Sequence, residues 1–247
     1  MKTERLTLPV VDANVDHVTA VLHLPDELTG PAVLLTHGAG GDLDGEGLVA
    51  LADVLAGLGC VTVRANLAYR EAGRRAAPRA ETSVASFRSL WQAADGLLHA
   101  EGIHPGPVGW VVGGKSYGGR VASLAVATEP GTSDATGAQP PAAGLLFYGY
   151  PLHPPGKPDK LRVAHWPHVP VPCLFLQGDR DPFCDLDLLR QHVRKLPRRA
   201  TLQVVPGGDH SLKVTGAASP DGTPRSAVRV LQDLTDPIAQ WLASLHV

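Results

Sequence analysis

Cysteine is scarce in this chain, and other shortages narrow its function further. Cys60, Cys173 and Cys184 are an odd and sparse set among 247 residues, too few for a disulfide framework. No paired C-x-x-C spacing offers a zinc site. Cys60 and Cys173 begin apolar, strand-like runs and read as buried, inert thiols, so the expected compartment is a reducing cytoplasm. Charge of one sign is lacking as well: a net charge of −2 gives no electrostatic case for nucleic acid or an anionic membrane surface as a partner. No apolar stretch approaches the roughly 18 residues of a membrane span. Met1-Lys2-Thr3-Glu4-Arg5 runs into alternating residues without an apolar signal core. Internal repeats and interdomain linkers are missing, so one domain is expected over residues 1–247. With 44% hydrophobic and 19% charged residues, the chain can bury a substantial core and is not expected to be disordered.

What is present is an alternation. From about residue 30, strand-like and helix-like segments follow one another, the pattern of an α/β protein with a mainly parallel sheet and helices on both faces. Strands are expected at residues 31–36, 61–63, 108–112, 144–148, 171–177 and 201–205. Helical spacing covers residues 48–58, 83–100, 120–127, 186–196 and 227–245. Before these, residues 6–8 and 17–24 read as antiparallel edge strands. Residues 130–141, rich in Gly, Thr, Ala and Pro, read as a loop. Residues 151–170 are crowded with proline and histidine and cannot hold regular structure for long.

The most informative stretch is Gly114-Lys115-Ser116-Tyr117-Gly118, a G-x-S-x-G pentapeptide between an apolar strand and a small-residue helix. A serine at such a strand–turn–helix apex is forced into a strained backbone that lifts its hydroxyl clear of the main chain. Glycines on either side let strand and helix approach that closely.

Serine is a poor nucleophile at neutral pH and needs a base, and the base needs an orienting group. After such an elbow these follow in the chain order acid, then histidine, each at the carboxyl end of a strand. The strand at 171–177 ends in Gly178-Asp179-Arg180-Asp181-Pro182-Phe183. Two aspartates compete there. Asp181 is favoured as the acid because it sits further round the turn, within reach of a neighbouring loop; Asp179, beside Arg180, reads as an organiser of the turn itself. Of eleven histidines, His210 has the right place, after the last strand and before the closing helix. His37 precedes the elbow and reads as a residue that holds a glycine-rich turn. His153, His165 and His168 cluster in the proline-rich segment, but no helical spacing supports a metal there, and none is expected.

Charge that develops on a carbonyl oxygen needs donors in place beforehand. The backbone N–H of Tyr117 is one candidate, and that of Ala39, within His37-Gly38-Ala39-Gly40-Gly41, is the second. Lys115 lies inside the elbow. Arg64, Tyr69 and Arg70 follow the strand at 61–63, near the rim where open sheets bind substrates. Lys115, Arg70 and Tyr69 are therefore candidate substrate-binding residues, with surface charge or turn support as the alternative.

His37-Gly38-Ala39-Gly40-Gly41, the segment 113–123 around the elbow, residues 148–158, Lys160-Leu161-Arg162 and residues 177–183 carry a family resemblance. The chain resembles a bacterial member of the α/β-hydrolase branch that includes the testis-expressed hydrolase-like protein and a regulatory subunit of the non-specific-lethal chromatin complex. It is more distantly similar to dienelactone hydrolases, which use a cysteine nucleophile where this chain has serine. The resemblance implies an α/β-hydrolase fold, a Ser116–Asp181–His210 triad and no cofactor. Cys184 departs from the glycine of many bacterial relatives.

The expectation from residues and resemblance together is a cytoplasmic, monomeric or homodimeric serine hydrolase. It would cleave an ester or thioester of a small acyl substrate through an acyl-enzyme. The alternatives are a non-catalytic interaction protein on the same fold, and a peptidase or acyltransferase.

Overall fold

Apolar runs of five or six residues with no alternation suit strands buried on both faces, and they form the middle of the sheet. The computed structural model describes residues 1–104, 108–127, 139, 141–219 and 222–246. Its strands are β1 (Lys2–Pro9), β2 (His17–Leu24), β3 (Ala32–Thr36), β4 (Val61–Ala65), β5 (Trp110–Lys115), β6 (Ala142–Tyr148), β7 (Cys173–Gly178) and β8 (Ala200–Val205). They form one sheet in the order β1-β2-β4-β3-β5-β6-β7-β8. The pairings β1–β2 and β2–β4 are antiparallel, and all others are parallel. Of the two expected edge strands only β1 is one, because β2 is paired on both sides.

The helices are α1 (Glu46–Gly57), α2 (Ala68–Glu71), α3 (Val84–Ala100), α4 (Tyr117–Val126), α5 (Leu186–Val193), α6 (Ala227–Asp233) and α7 (Thr235–Ala243). Two apolar clusters cover the two sheet faces. Leu34, Val63 and Val112 pack with Phe87 and Trp91 of α3 and with Val121 of α4. On the other face Val33, Leu35 and Val111 pack with Leu51 of α1, Leu231 of α6 and Ile238 of α7. Burial of each Leu or Val contributes about 1.5–3 kcal/mol, which fixes both the register and the face of every central strand. None of the helices among the described residues is long and apolar enough to cross a membrane.

Two differences from the sequence expectation have local causes. The single helix expected at 227–245 is two, with Leu234 between them at φ −90° and ψ 5°. Pro237 has no N–H, and its ring would clash with the carbonyl four residues back, so it sits in the first turn of a new helix instead. The four-residue α2 was not expected, being too short to display a period. Residues 151–170 hold only the single 3-10 turn Trp166–His168, as their prolines dictate. The loop expected at 130–141 lies outside the described residues apart from Gln139 and Pro141.

What positions the site is register. Thr36 pairs with Gly114, Lys115 with Tyr148, Tyr148 with Leu176, and Gly178 with Val205. The carboxyl ends of five neighbouring parallel strands thus line up, and the loops that follow them emerge side by side.

Candidate active site

Ser116 closes β5 and caps α4 with φ 49° and ψ −109°, a backbone that an L-residue rarely adopts and that costs about 1–3 kcal/mol. Two glycines explain how this strain is tolerated. A Cβ on Gly114, itself at φ 146°, would lie 2.0 Å from the carbonyl oxygen of Thr36; a Cβ on Gly118 would lie 2.5 Å from the same atom. The turn is pressed against β3, and the Ser116 amide is anchored by donating to Tyr148 O at 2.9 Å.

His210 comes to this hydroxyl from 94 residues away. Its Nε2 lies 2.8 Å from Ser116 Oγ, and its Nδ1 lies 2.7 Å from Asp181 Oδ2. The Asp181 side chain is fully buried, which is costly for a carboxylate unless its lone pairs are filled. They are filled here. Gln177 Nε2 donates to Oδ2 at 2.7 Å and the Phe183 amide to Oδ1 at 2.8 Å. The Phe183 ring lies 4.4 Å from the imidazole, centroid to centroid, and limits its tilt. Asp179 points elsewhere: its Oδ1 accepts from the Gly207 amide at 2.7 Å and ties the loop after β7 to the loop after β8.

The loop after β3 faces the elbow. The Gly118 amide donates to His37 O at 3.1 Å, and a Cβ on Gly38 would come within 3.6 Å of Ser116 Cβ. His37 is buried and holds this loop from within. Its Nδ1 is 2.8 Å from Gly38 O, and its Nε2 accepts from the Leu67 amide at 3.1 Å. Burial pushes its pKa down, as suits a neutral imidazole that donates with one nitrogen and accepts with the other. The amide of Tyr117 is the first of α4 and has no acceptor inside the helix. Tyr117, Ala39 and Ser116 line one cavity of about 850 Å³ together with His210 and Phe183.

Of the three candidate substrate-binding residues, only Lys115 lines this cavity. Its Nζ donates to Ser211 Oγ at 2.7 Å, and burial pushes its pKa down. Tyr69 is instead buried behind the Ala39 loop, donating from its hydroxyl to Ala39 O at 2.9 Å. Arg70 pairs with Asp42 at 3.3 Å. Both therefore support the loop, because the short helix α2 turns them away from the cavity. Arg64 does not line the cavity either, and donates to His23, Leu43 O and Asp44.

His153 and His165 of the proline-rich segment have other partners. His153 accepts from the Asp185 amide at 2.9 Å, and His165 lies 2.8 Å from Ser123 Oγ. Burial pushes the His165 pKa down to about 4. Among the described residues no three His, Cys, Asp or Glu side chains gather as a metal site. All three cysteines are free and buried, and burial raises Cys60 and Cys173 to about 12.

Sequence reasoning assigned no role to Gln177, Tyr148, Ser211, Arg120 or Arg162. Gln177 had a visible signal, a polar residue at the end of an apolar strand. The others become site residues only through contacts across the fold.

Residues 29–242 match the protein family described as alpha/beta hydrolase domain. Solved structures share the fold over nearly the full chain. An alpha-beta serine hydrolase homologue from Coxiella burnetii is 16% identical, with 98% of each chain covered and a TM-score of 0.67. A dienelactone hydrolase from Anabaena variabilis is 19% identical, with 99% of each chain covered and a TM-score of 0.67. Esterase 2 of Thermogutta terrifontis, phosphorylated by paraoxon, is 18% identical, covering 98% of this chain and 94% of its own, with a TM-score of 0.67.

Proposed function

The chain belongs to the alpha/beta hydrolase domain family, and we propose that it is a serine hydrolase that cleaves an ester or thioester of a small acyl substrate. The observation that carries this reading is the continuous hydrogen-bonded line from Ser116 Oγ through His210 to the buried Asp181 carboxylate. In this reading His210 Nε2 takes the hydroxyl proton as Ser116 Oγ attacks the carbonyl carbon, and Asp181 stabilises the imidazolium through Nδ1–H. The amides of Tyr117 and Ala39 receive the negative oxygen of the tetrahedral intermediate. His210 then returns the proton to the leaving alcohol or thiol, and an acyl group remains on Ser116. A water, deprotonated by the same nitrogen, releases it as an acid. Residues 151–170 wall the cavity through Pro151 and Arg162.

The neighbour phosphorylated by paraoxon supports the choice of test. A fluorophosphonate probe is expected to label Ser116, and Ser116→Ala to abolish both labelling and ester turnover, with a loss of about 10⁶ in kcat. Absence of labelling and of turnover across a broad ester panel favours a non-catalytic interaction protein instead. Matched 4-nitrophenyl esters and aminoacyl anilides separate an esterase from a peptidase. The motifs at residues 113–123 and 148–162 support placement beside the testis-expressed hydrolase-like branch, while the free, buried cysteines support a reducing cytoplasm and the single sheet supports one domain.

A further inference from the structure

The chain as a whole is slightly acidic, yet the cavity beside Ser116 is not. Five cationic side chains line it, Arg79, Lys115, Arg120, Arg162 and Lys213, against two acidic ones, Asp42 and Glu46. Asp42 is engaged by Arg70. Arg120, one turn beyond the nucleophile on α4, has Glu81 as its partner at 2.6 Å, and its Nε is buried without an acceptor.

Among the described residues Arg162, like Lys115, is a half-buried cation of this lining without an ion-pair partner. No carboxylate of those residues lies within 4 Å of Arg162. Its guanidinium donates from Nη1 to Pro151 O at 3.3 Å. Burial and then the neighbouring Arg120 charge push its pKa down, against a smaller upward pull from Tyr150 and from the Glu81 carboxylate that Arg120 already holds. The residue is also held still. Its amide donates to Leu152 O at 2.8 Å, and its carbonyl accepts from the buried Tyr150 hydroxyl at 2.8 Å. A rigidly based, half-buried cation beside a second cation is unfavourable in the empty protein. It becomes favourable when an anion arrives, and a guanidinium fork matches two oxygens of one anionic group.

We propose that the substrate of this site carries an anionic oxygen group, a carboxylate or a phosphate, beyond its scissile carbonyl, and that Arg162 with Arg120 selects for it. This deepens the serine hydrolase reading and rests on it. The anion stays intact in the reaction; it places the carbonyl at Ser116.

The test compares kcat/KM for three 4-nitrophenyl esters of matched length: the neutral pentanoate, the carboxylate-terminated hydrogen glutarate and a phosphonate-terminated analogue. At least one anionic ester is expected to be preferred about tenfold or more, and which one identifies the group. Arg162→Gln is expected to reduce that preference about 10- to 100-fold, and raising the salt concentration to reduce it in the wild-type enzyme. Independently of turnover, glutarate or inorganic phosphate is expected to raise the wild-type Tm and to slow fluorophosphonate labelling, with both effects lost in Arg162→Gln. A wild-type enzyme that prefers the pentanoate and gains no protection from either anion overturns the proposal. Anion stabilisation that depends on Arg162, without labelling or turnover, overturns the hydrolase reading and leaves the anion site standing. Should Arg162→Gln not fold, the wild-type preference and its salt dependence decide.

Discussion

Lys115 Nζ donates to Ser211 Oγ across 2.7 Å, joining the residue before Ser116 to the residue after His210. The same short loop is held by a second bond, from the Tyr148 hydroxyl to Ser211 O at 2.8 Å, and Lys115 Nζ stands 5.1 Å from the centre of the Tyr148 ring. Leu212, next along, is at φ 60°, one of two non-glycine residues with positive φ among those described; the other is Ser116. Strained residues thus flank a cross-link that fixes where His210 can be relative to Ser116.

Lys115→Met keeps the packing stem and removes the donor. It is expected to lower kcat about 10- to 100-fold, the scale of a misplacement near 1 Å, with a smaller change in KM on a neutral ester. Steady-state kinetics check this; an unchanged kcat rejects a positioning role for Lys115.

The two aspartates of the acid loop are expected to separate cleanly. Asp181→Asn leaves the shape but loses the charge facing His210 Nδ1, and kcat is expected to fall about 10⁴-fold. Asp179→Asn weakens a single bond to the Gly207 amide and is expected to cost about 1–3 kcal/mol of stability with a far smaller effect on kcat. Kinetics paired with denaturant melts of the two variants decide; comparable loss of kcat in both contradicts the assignment.

Gln177→Leu removes a donor from a carboxylate with no access to water. The destabilisation expected is about 1–3 kcal/mol, and kcat is expected to fall as well, because the Asp181 carboxylate is freed to rotate. A melt indistinguishable from wild type would contradict the role given to this glutamine.

Gly114→Ala places a methyl group 2.0 Å from the backbone oxygen of Thr36 at φ 146°. Neither backbone can give way without breaking β3–β5 pairing. A loss of more than about 4 kcal/mol is expected, read as insoluble expression or a collapsed Tm. A stable, active variant shows that the elbow is not wedged as described.

Buried His165 gives the fold a pH dependence. Its folded pKa, near 4, is below the usual 6.5, so between these values the unfolded chain binds more protons than the native one. Its contribution is complete above about pH 6.5 and is lost as pH falls towards 4. His37, shifted down by burial, acts in the same direction. The Tm is expected to decline across that window, and His165→Gln to flatten the slope; a flat wild-type profile refutes this.

Much of the fold was legible because its cause is local. Apolar runs such as 32–36 and the helical period of 84–100 announce themselves within a few residues. The break at Leu234 was also written in the chain, at Pro237, but was overridden by the apolar period on either side of it. The roles of Tyr69 and Arg70 were not legible. Proximity to a strand end does not reveal which way a four-residue helix turns its side chains.

The G-x-S-x-G turn and the strand and helix alternation depend on steric limits and periodicities that span a few neighbours, and these were readable from residue letters. Choosing Gln177 as the donor to Asp181, Ser211 as the anchor of the loop after β8 and Arg162 as a half-buried cation without a carboxylate required the packed chain. Those choices turn on distances of about 3 Å, between residues four apart for Gln177 and Asp181 and 96 apart for Lys115 and Ser211. They depend on strand register and on which charges burial strips of water, and neither is a property of any local segment.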